Sequence, residues 1–260
     1  MKRLLLAVLT AVLIVPVLFT GCSKVNPGPV TTRNLDYADF SSIHVASAFE
    51  VEIVQSSTWS VSVTAQETLF DHIDITENGG TLEINLQWGW GTWVSSWGYQ
   101  RPKARIAMPE LHMLSLSGAS KGILEGFKSG QATGLTVSGA SSLDVDMEAD
   151  SSNIEVSGAS HISGTIKVND LQLEVTGASK ADLSGSAENL WLQASGASNV
   201  ALERLAIADA DISLSGASRG TVSPENSMTV VLSGASSLTY SGNPTLEAID
   251  VSGASTIHKK

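Results

Sequence analysis

Apolar and polar residues alternate strictly in eight short segments between residues 114 and 255. In each segment the residues four and two positions before a glycine are apolar, and the residue between them is nearly always polar. Alternation with a period of two residues predicts a β-strand with one buried face. The apolar pairs are Leu114/Leu116, Leu135/Val137, Ile154/Val156, Leu173/Val175, Leu192/Ala194, Ile212/Leu214, Val230/Leu232 and Ile249/Val251.

The same phrase, Ser-Gly-Ala-Ser, ends each alternating segment, with Thr176 replacing the first serine in one copy. Successive glycines of the phrase are 18 to 21 residues apart. A fixed period near twenty residues is typical of a solenoid, in which each repeat forms one turn that is not stable alone. The sequence therefore predicts an all-β fold, a parallel β-helix (β-solenoid) with about 19 residues per turn. Its structural glycines are Gly118, Gly139, Gly158, Gly177, Gly196, Gly216, Gly234 and Gly253.

If the alternation continues through the phrase, the glycine and the final serine face the same side as the apolar pair. Apolar residues four positions after most of the glycines support this inward direction. Stacked serines would lie about 4.8 Å apart, the spacing between neighbouring strands. Because a hydroxyl both donates and accepts, the serines are predicted to form a ladder that satisfies itself along the axis. These serines are Ser120, Ser141, Ser160, Ser179, Ser198, Ser218, Ser236 and Ser255.

The region 35–113 continues the alternation without the phrase. Its apolar pairs are separated by turn-forming residues at 55–57 and 78–80, which predicts further strands. Terminal repeats of solenoids are usually atypical, and no linker divides this region from the eight repeats of 114–257. We therefore expect residues 35–260 to form a single solenoid domain whose first part is a set of irregular turns or a cap.

Aromatic residues are concentrated in the segment 88–99, which holds four of the six tryptophans of the chain. The glycines of this insertion predict a loop or a glycine-rich hairpin. Two interpretations are open. The aromatic side chains bind a sugar ring, a membrane interface or a protein partner, or they cover the apolar end of the solenoid. The candidate binding residues are Trp88, Trp90, Trp93, Trp97 and Tyr99.

The formal net charge of the chain is −11. An acidic surface of this kind argues against binding nucleic acid or an anionic membrane through net charge. Within it, however, the positions three residues after each glycine are basic or neutral, and those three residues before each glycine are mostly acidic or neutral. The basic members, Lys121, His161, Lys180 and Arg219, are candidates for binding an anionic glycan. The alternative is a solvated face that discourages lateral association of the sheet.

The amino terminus has the pattern of a secretory leader. A basic start at Lys2 and Arg3 is followed by an apolar run over 4–19, a small residue and Cys22, the one cysteine of the chain. This pattern predicts a signal peptide over 1–21. With a single cysteine the secreted chain forms no internal disulfide.

The stretch Leu18-Phe19-Thr20-Gly21-Cys22 resembles the bacterial lipobox. The resemblance implies that Cys22 is lipidated and anchors the protein to a membrane, and Ser23 after the cysteine favours the outer membrane. Residues 22–34 contain prolines, a glycine and few apolar residues, and they are predicted to form a flexible tether.

Candidate chemistry for catalysis is weak in this sequence. The histidines have neither metal-ligand spacing nor a shared repeat offset, and no nucleotide-binding or triad motif occurs. A polysaccharide-processing enzyme needs an acid and a base clustered on adjacent turns. Glu155 and Glu174 share one offset and have no opposing group. We expect no enzymatic activity, no metal and no cofactor.

The segment from Arg33 to Val45, followed by repeated Ser-Gly-Ala-Ser turns, resembles the head GIN domain family over about residues 33–257. Its members are described as auto-transporter adhesin heads, often bacterial lipoproteins, built as right-handed β-helices. The resemblance implies a lipid-anchored protein of the cell envelope that binds a surface glycan or an envelope protein without catalysis. A passive scaffold or spacer of the envelope is the alternative, and a polysaccharide-processing enzyme is a third hypothesis.

Overall fold

A computed structural model describes residues 28–87 and 100–260. In these residues twenty strands belong to one hydrogen-bonded sheet, and one short 3-10 helix spans Glu67–His72. The strands are β1 (Val30–Leu35), β2 (Ser42–Val45), β3 (Glu50–Gln55), β4 (Ser60–Gln66), β5 (Ile73–Asn78), β6 (Thr81–Leu86), β7 (Lys103–Met108), β8 (Met113–Leu116), β9 (Lys121–Lys128), β10 (Thr133–Val137), β11 (Ser142–Glu148), β12 (Ser151–Val156), β13 (His161–Val175), β14 (Lys180–Ala194), β15 (Asn199–Leu214), β16 (Arg219–Val222), β17 (Pro224–Leu232), β18 (Ser237–Tyr240), β19 (Thr245–Val251) and β20 (Thr256–Lys259).

Each coil of the solenoid contributes to two stacks of parallel strands. Wall A holds, in spatial order, β6, β2, β8, β10, β12, the second halves of β13 to β15, β17 and β19. Wall B holds β7, β3, β9, β11, the first halves of β13 to β15, β16, β18 and β20. The predicted parallel β-helix with about 19 residues per turn is confirmed, as the pairing of His161 with Lys180 illustrates.

The N-terminal region departs from this simple order. The coil made by β2 and β3 lies between the β6–β7 coil and the β8–β9 coil, so spatial order differs from chain order. Three antiparallel strands extend the two walls beyond these coils: β4 pairs with β7, β1 with β4, and β5 with β6. The region that lacks the repeated phrase thus contains two coils and a set of antiparallel cap strands.

The expectation of a flexible tether is wrong for residues 30–34, which belong to β1. This strand pairs with β4 from Val30 opposite Gln66 to Leu35 opposite Val61. Backbone pairing at the sheet edge, together with a hydrogen bond of 2.8 Å between the hydroxyls of Thr32 and Thr64, holds a strand that has almost no buried side chains. Residues 22–27 and the predicted signal peptide lie outside the described residues. No helix among residues 28–87 and 100–260 is long and apolar enough to cross a membrane.

The interior is a column of mostly aliphatic side chains that runs along the coils. The apolar pairs of the first seven repeats are fully buried, and Phe40 and Phe49 are buried near the cap. In the last coil the equivalent residues Ile249 and Val251 are 44% and 40% exposed, because their coil has a neighbouring coil on one side only among the described residues.

The prediction that the phrase glycines face inward is wrong, because all eight are exposed at the corner between wall A and wall B. The chain turns there through a left-handed conformation, with φ of +76° at Gly177, and this turn interrupts the alternation. A Cβ atom at Gly177 would lie 2.5 Å from the carbonyl oxygen of Gly158 in the previous coil. Glycine is therefore required both by its φ angle and by the close approach of backbones.

The phrase serines do face inward, as predicted, and seven of them are buried. Among the described residues, a step of the predicted ladder between hydroxyls forms from Ser236 to Ser255, at 3.2 Å, and the other hydrogen bonds of the phrase serines differ from it. The backbone N–H of Ser120 donates to Oγ of Ser141 at 3.1 Å, and the N–H of Ser141 donates to Oγ of Ser160 at 3.3 Å. The hydroxyls of Ser141, Ser160, Ser179 and Ser255 thus each accept from a backbone N–H of the preceding coil, which would otherwise be buried without a partner at the corner. Those of Ser120, Ser218 and Ser236 instead donate to backbone carbonyls.

Candidate functional site

The four basic candidates share one column on the outer face of wall B. Strand register aligns Lys121, Ser142, His161, Lys180, Asn199 and Arg219 on consecutive coils. Because neighbouring strands are about 4.8 Å apart, His161 and Lys180 are direct neighbours and the other two basic residues lie about 10 Å beyond them. The structure therefore brings together the basic residues that the sequence placed at one repeat offset.

Carboxylates partly neutralise this basic column. The ammonium group of Lys180 lies 3.8 Å from a carboxylate oxygen of Asp182, and the same carboxylate accepts a hydrogen bond of 2.7 Å from Arg204. Lys121 lies opposite Glu50, whose carboxylate is 3.1 Å from the ammonium group of Lys103. The column is thus a line of cations with acidic neighbours, and its positive electrostatic potential extends only a short distance from the wall.

A groove of about 340 Å³ lies at the N-terminal end of this face, where β3, β4, β7 and β9 meet. Two ion pairs cross it, one between Lys103 and Glu50 and one of 3.3 Å between Arg105 and Glu52. Lys121 adds a third cation, so that three basic groups face two acidic ones. The other residues that line the groove are Val51, Ser62, Thr64, Ala104 and Ile123. Cations, hydroxyls and one exposed aliphatic side chain can together hold a polar ligand that carries negative charge.

A second charged cluster lies near the corner that leads from wall B to wall A. Glu148 lies between Lys128 and Lys167, with N–O distances of 3.3 Å and 3.1 Å. Hydrogen bonds from Lys167 and Lys128 hold the pKa of Glu148 below its ordinary value. Sequence reasoning missed this cluster, although the offsets of 20 and 19 residues between its members match the repeat period.

The aromatic candidates Trp88, Trp90, Trp93, Trp97 and Tyr99 lie outside the described residues, as does Cys22. The described ends of the insertion lie at the N-terminal end of the solenoid. The backbone N–H of Gln87 donates to the carbonyl of His72 at 2.7 Å, and the N–H of Gln100 donates to the side-chain oxygen of Gln66 at 2.9 Å.

The segment 46–49 forms a further corner that sequence reasoning missed. Register places Val45 beside Leu116 and Glu50 beside Lys121, so that Ser47 and Ala48 stand where the phrase has Gly118 and Ala119. Ser47 and Ala48 adopt φ angles of +67° and +63°, close to the +64° of Gly118. This corner adjoins the residues that flank the tryptophan-rich insertion, since the N–H of Glu50 donates to the carbonyl of Pro102.

Acidic residues form a column on the outer face of wall A. Glu155 and Glu174 pair directly, as their shared offset predicts. Among the described residues, no three His, Asp or Glu side chains are grouped so that they could hold a metal ion. One residue of this wall that the sequence did not single out is Trp191, whose side chain is exposed.

These features define a class: a parallel β-solenoid with polar, charged outer walls, a closed aliphatic interior and an antiparallel N-terminal cap. The chain belongs to the family described as "Putative auto-transporter adhesin, head GIN domain", which matches residues 39–244.

Solved structures of other proteins have the same architecture. The chain is similar to a "putative adhesin" from Parabacteroides merdae, with a TM-score of 0.82, 16% identity, and coverage of 90% of this chain and 97% of that one. A "putative adhesin" from Parabacteroides distasonis gives a TM-score of 0.81 at 16% identity, covering 90% and 98%. A "putative lipid binding protein" from the same species gives 0.78 at 18% identity, covering 90% and 97%. At these identities the likeness establishes the fold. No curated protein matches the chain.

Proposed function

We propose that this protein is a non-catalytic adhesin head, held at the cell envelope by a lipid on Cys22, that binds an anionic surface glycan through wall B. The observation that carries the proposal is the single column of Lys121, His161, Lys180 and Arg219, which runs along a regular wall and reaches the groove between β3 and β9. Membership of a family described as adhesin heads supports the same function.

A linear polyanion suits this column because its charges repeat along a chain, as the cations repeat along the wall. The basic residues lie about 5 to 10 Å apart by strand spacing. Each contact is exposed to solvent, so each contributes little alone, and affinity depends on several contacts at once. Binding through such a surface is weakened by salt because the charges are screened.

The lipobox-like stretch before Cys22 supports the anchor. Acyl chains contribute about 0.8 kcal/mol per buried CH₂, so that two or more chains hold a protein firmly on a membrane. In cells, Cys22→Ala should move the protein from the membrane fraction to the soluble fraction. Retention of the variant in the membrane fraction would contradict the lipid anchor.

Binding is tested with purified protein and immobilised heparin and hyaluronan at two salt concentrations. We expect the wild type to bind at low salt, and the double variant Lys121→Ala/Lys180→Ala to bind at least several-fold less. The double variant Lys259→Ala/Lys260→Ala removes the same charge at the far end of the chain and should retain binding. Lys259 lies in β20 of wall B, outside the basic column, so equal binding by the two double variants would reject the column of Lys121 and Lys180 as the site. Absence of binding by the wild type to glycans and matrix proteins would favour a spacer.

A further inference from the structure

Trp191 lies in the second half of β14, on the outer face of wall A. Its neighbours along the strand, Leu190 and Leu192, are buried, whereas the side chain of Trp191 is 39% exposed. Around it, β12 and the second halves of β13 to β15 run in unbroken parallel register. The indole therefore stands on a regular sheet face, away from the corners, the groove and the cap.

Register defines the side chains that surround the indole. Gln172 and Asp211 occupy the same column on the two neighbouring strands, about 4.8 Å away, and the next column begins two residues further along the strand, about 6.7 Å away. The members of this Trp191 patch are Trp191, Gln172, Asp211, Glu174, Gln193 and Ser213.

The polar members of the Trp191 patch are not bonded to the protein. Within the described residues, none of their side chains makes a hydrogen bond or an ion pair. The adjacent column on the other side is different, since Asn189 donates to Asp170 at 2.8 Å and Ser227 donates to Asp209 at 2.6 Å. Donors and acceptors are thus free on one side of the exposed ring, all on the solvent face of the sheet.

We propose that the Trp191 patch binds a neutral glycan. The C–H face of a pyranose ring packs on the flat indole, which offers a large apolar surface at a low cost in conformational entropy. Hydroxyl groups of the sugar then bond to Gln172, Gln193 and Asp211, because amides both donate and accept and a carboxylate accepts. Because these side chains have no protein partners, they can bond to the sugar without first breaking a hydrogen bond within the protein.

The charge of the patch selects against an anionic ligand. Asp211 and Glu174 belong to it, Asp170 and Asp209 flank it, and no Lys, Arg or His lies among these positions. A protein partner is also less suited, because protein interfaces need about 800 Å² per partner around an apolar centre. Here one aromatic ring is surrounded by polar side chains. The site goes beyond the proposed function, since it lies on the other wall and takes a ligand of different charge.

The test measures the binding of soluble neutral hexasaccharides of glucose, mannose and galactose to the full-length protein by calorimetry, with a heparin hexasaccharide in parallel. We expect at least one neutral hexasaccharide to bind the wild type, and Trp191→Ala to weaken it by about tenfold or more, as loss of a stacked ring implies. Met113→Ala is the matched control. Met113 is 52% exposed in the same column of wall A, four strands away, so that it removes an exposed apolar side chain without touching the patch.

Gln172→Ala and Gln193→Ala should each lower the affinity for the neutral hexasaccharide and leave heparin binding unchanged. Equal affinity of wild type and Trp191→Ala, or no binding of any neutral hexasaccharide to the wild type, would overturn the proposal. A protein ligand lost in Trp191→Ala, without sugar binding, would overturn it and assign the patch to a protein. Heparin binding that depends on Lys121 but not on Trp191 would leave the wall B function standing while this inference fails. Unchanged melting temperatures establish that the variants are folded.

Discussion

At the scale of single residues, the corner between wall A and wall B is the most constrained part of the coil. Gly177 combines a left-handed φ with a backbone of the previous coil in direct contact. Two residues later Ser179 turns inward, and its hydroxyl accepts the N–H of Ser160 at 3.3 Å. The corner therefore depends on one residue without a side chain and one residue with a small acceptor.

Gly177→Ala should be strongly destabilising, because the added Cβ meets the carbonyl oxygen of Gly158 at 2.5 Å and the φ of +76° is strained for alanine. Strain alone costs about 1–3 kcal/mol, and the contact adds to it. Two controls separate these causes. Gly79→Ala has a positive φ but nothing within 4 Å, and Gly130→Ala has neither feature.

The measurement is chemical denaturation of the three variants under one condition. The loss of unfolding free energy should be largest for Gly177→Ala, intermediate for Gly79→Ala and smallest for Gly130→Ala. A Gly177→Ala variant as stable as Gly79→Ala would show that the contact between stacked corners adds nothing to the loss of unfolding free energy.

Glu148 provides a test of charge pairing. Lys167 and Lys128 lower its pKa, so the ion pairs stabilise the fold when the carboxylate is charged and are lost as the pH falls through the folded-state pKa of Glu148. Lys167→Met should raise the pKa of Glu148 toward its ordinary value, measured by carboxyl-carbon NMR titration. Lys121→Met, which has no contact with Glu148, should leave it unchanged. A fixed pKa in both variants would contradict the pairing.

At the scale of elements, the position of a strand along the stack decides what its side chains contribute. Ile212 and Ile249 occupy the same column of wall A, in β15 and β19, two coils apart. Ile212 is completely buried, whereas Ile249 is 44% exposed. Residues at the same position of the repeat therefore contribute different amounts to the free energy of unfolding.

Ile212→Ala should cost about 2–5 kcal/mol of unfolding free energy, the range for a large-to-small change in a packed core. Ile249→Ala should cost clearly less, because much of its surface is already in contact with water. Denaturation of the two variants gives the comparison. Equal losses would indicate that the last coil is covered in solution.

The repeat determined which elements could be predicted from sequence. Eight copies of one phrase specified the strands, the period and the column of Lys121 and Arg219. The inward direction of the glycines was predicted wrongly, because the alternation of apolar and polar residues does not show where the backbone turns through a left-handed conformation. The corner at Ser47 and Ala48 carries no glycine, and β1 has almost no buried side chains to mark it. Trp191 was missed because an outward position of a strand accepts almost any residue.

At the scale of the whole molecule, two long outer walls carry different charges. Wall B carries the basic column and the groove, and the outer face of wall A carries Trp191 with Glu174 and Asp211 beside it. If both proposed sites bind their ligands, the two walls would engage two kinds of ligand at once. Such engagement raises the effective affinity without strengthening either contact.

The placement of the β2–β3 coil between two later coils makes the two ends of the rod unequal. Shortening the chain from its carboxyl end removes outermost coils one at a time, and each remaining interface is left as it was. Shortening it from the amino end removes a middle layer, and the β6–β7 coil then faces the β8–β9 coil across a gap one strand wide. Loss of the β2–β3 coil should therefore disrupt contacts on both of its sides, whereas loss of the last coil removes a single interface.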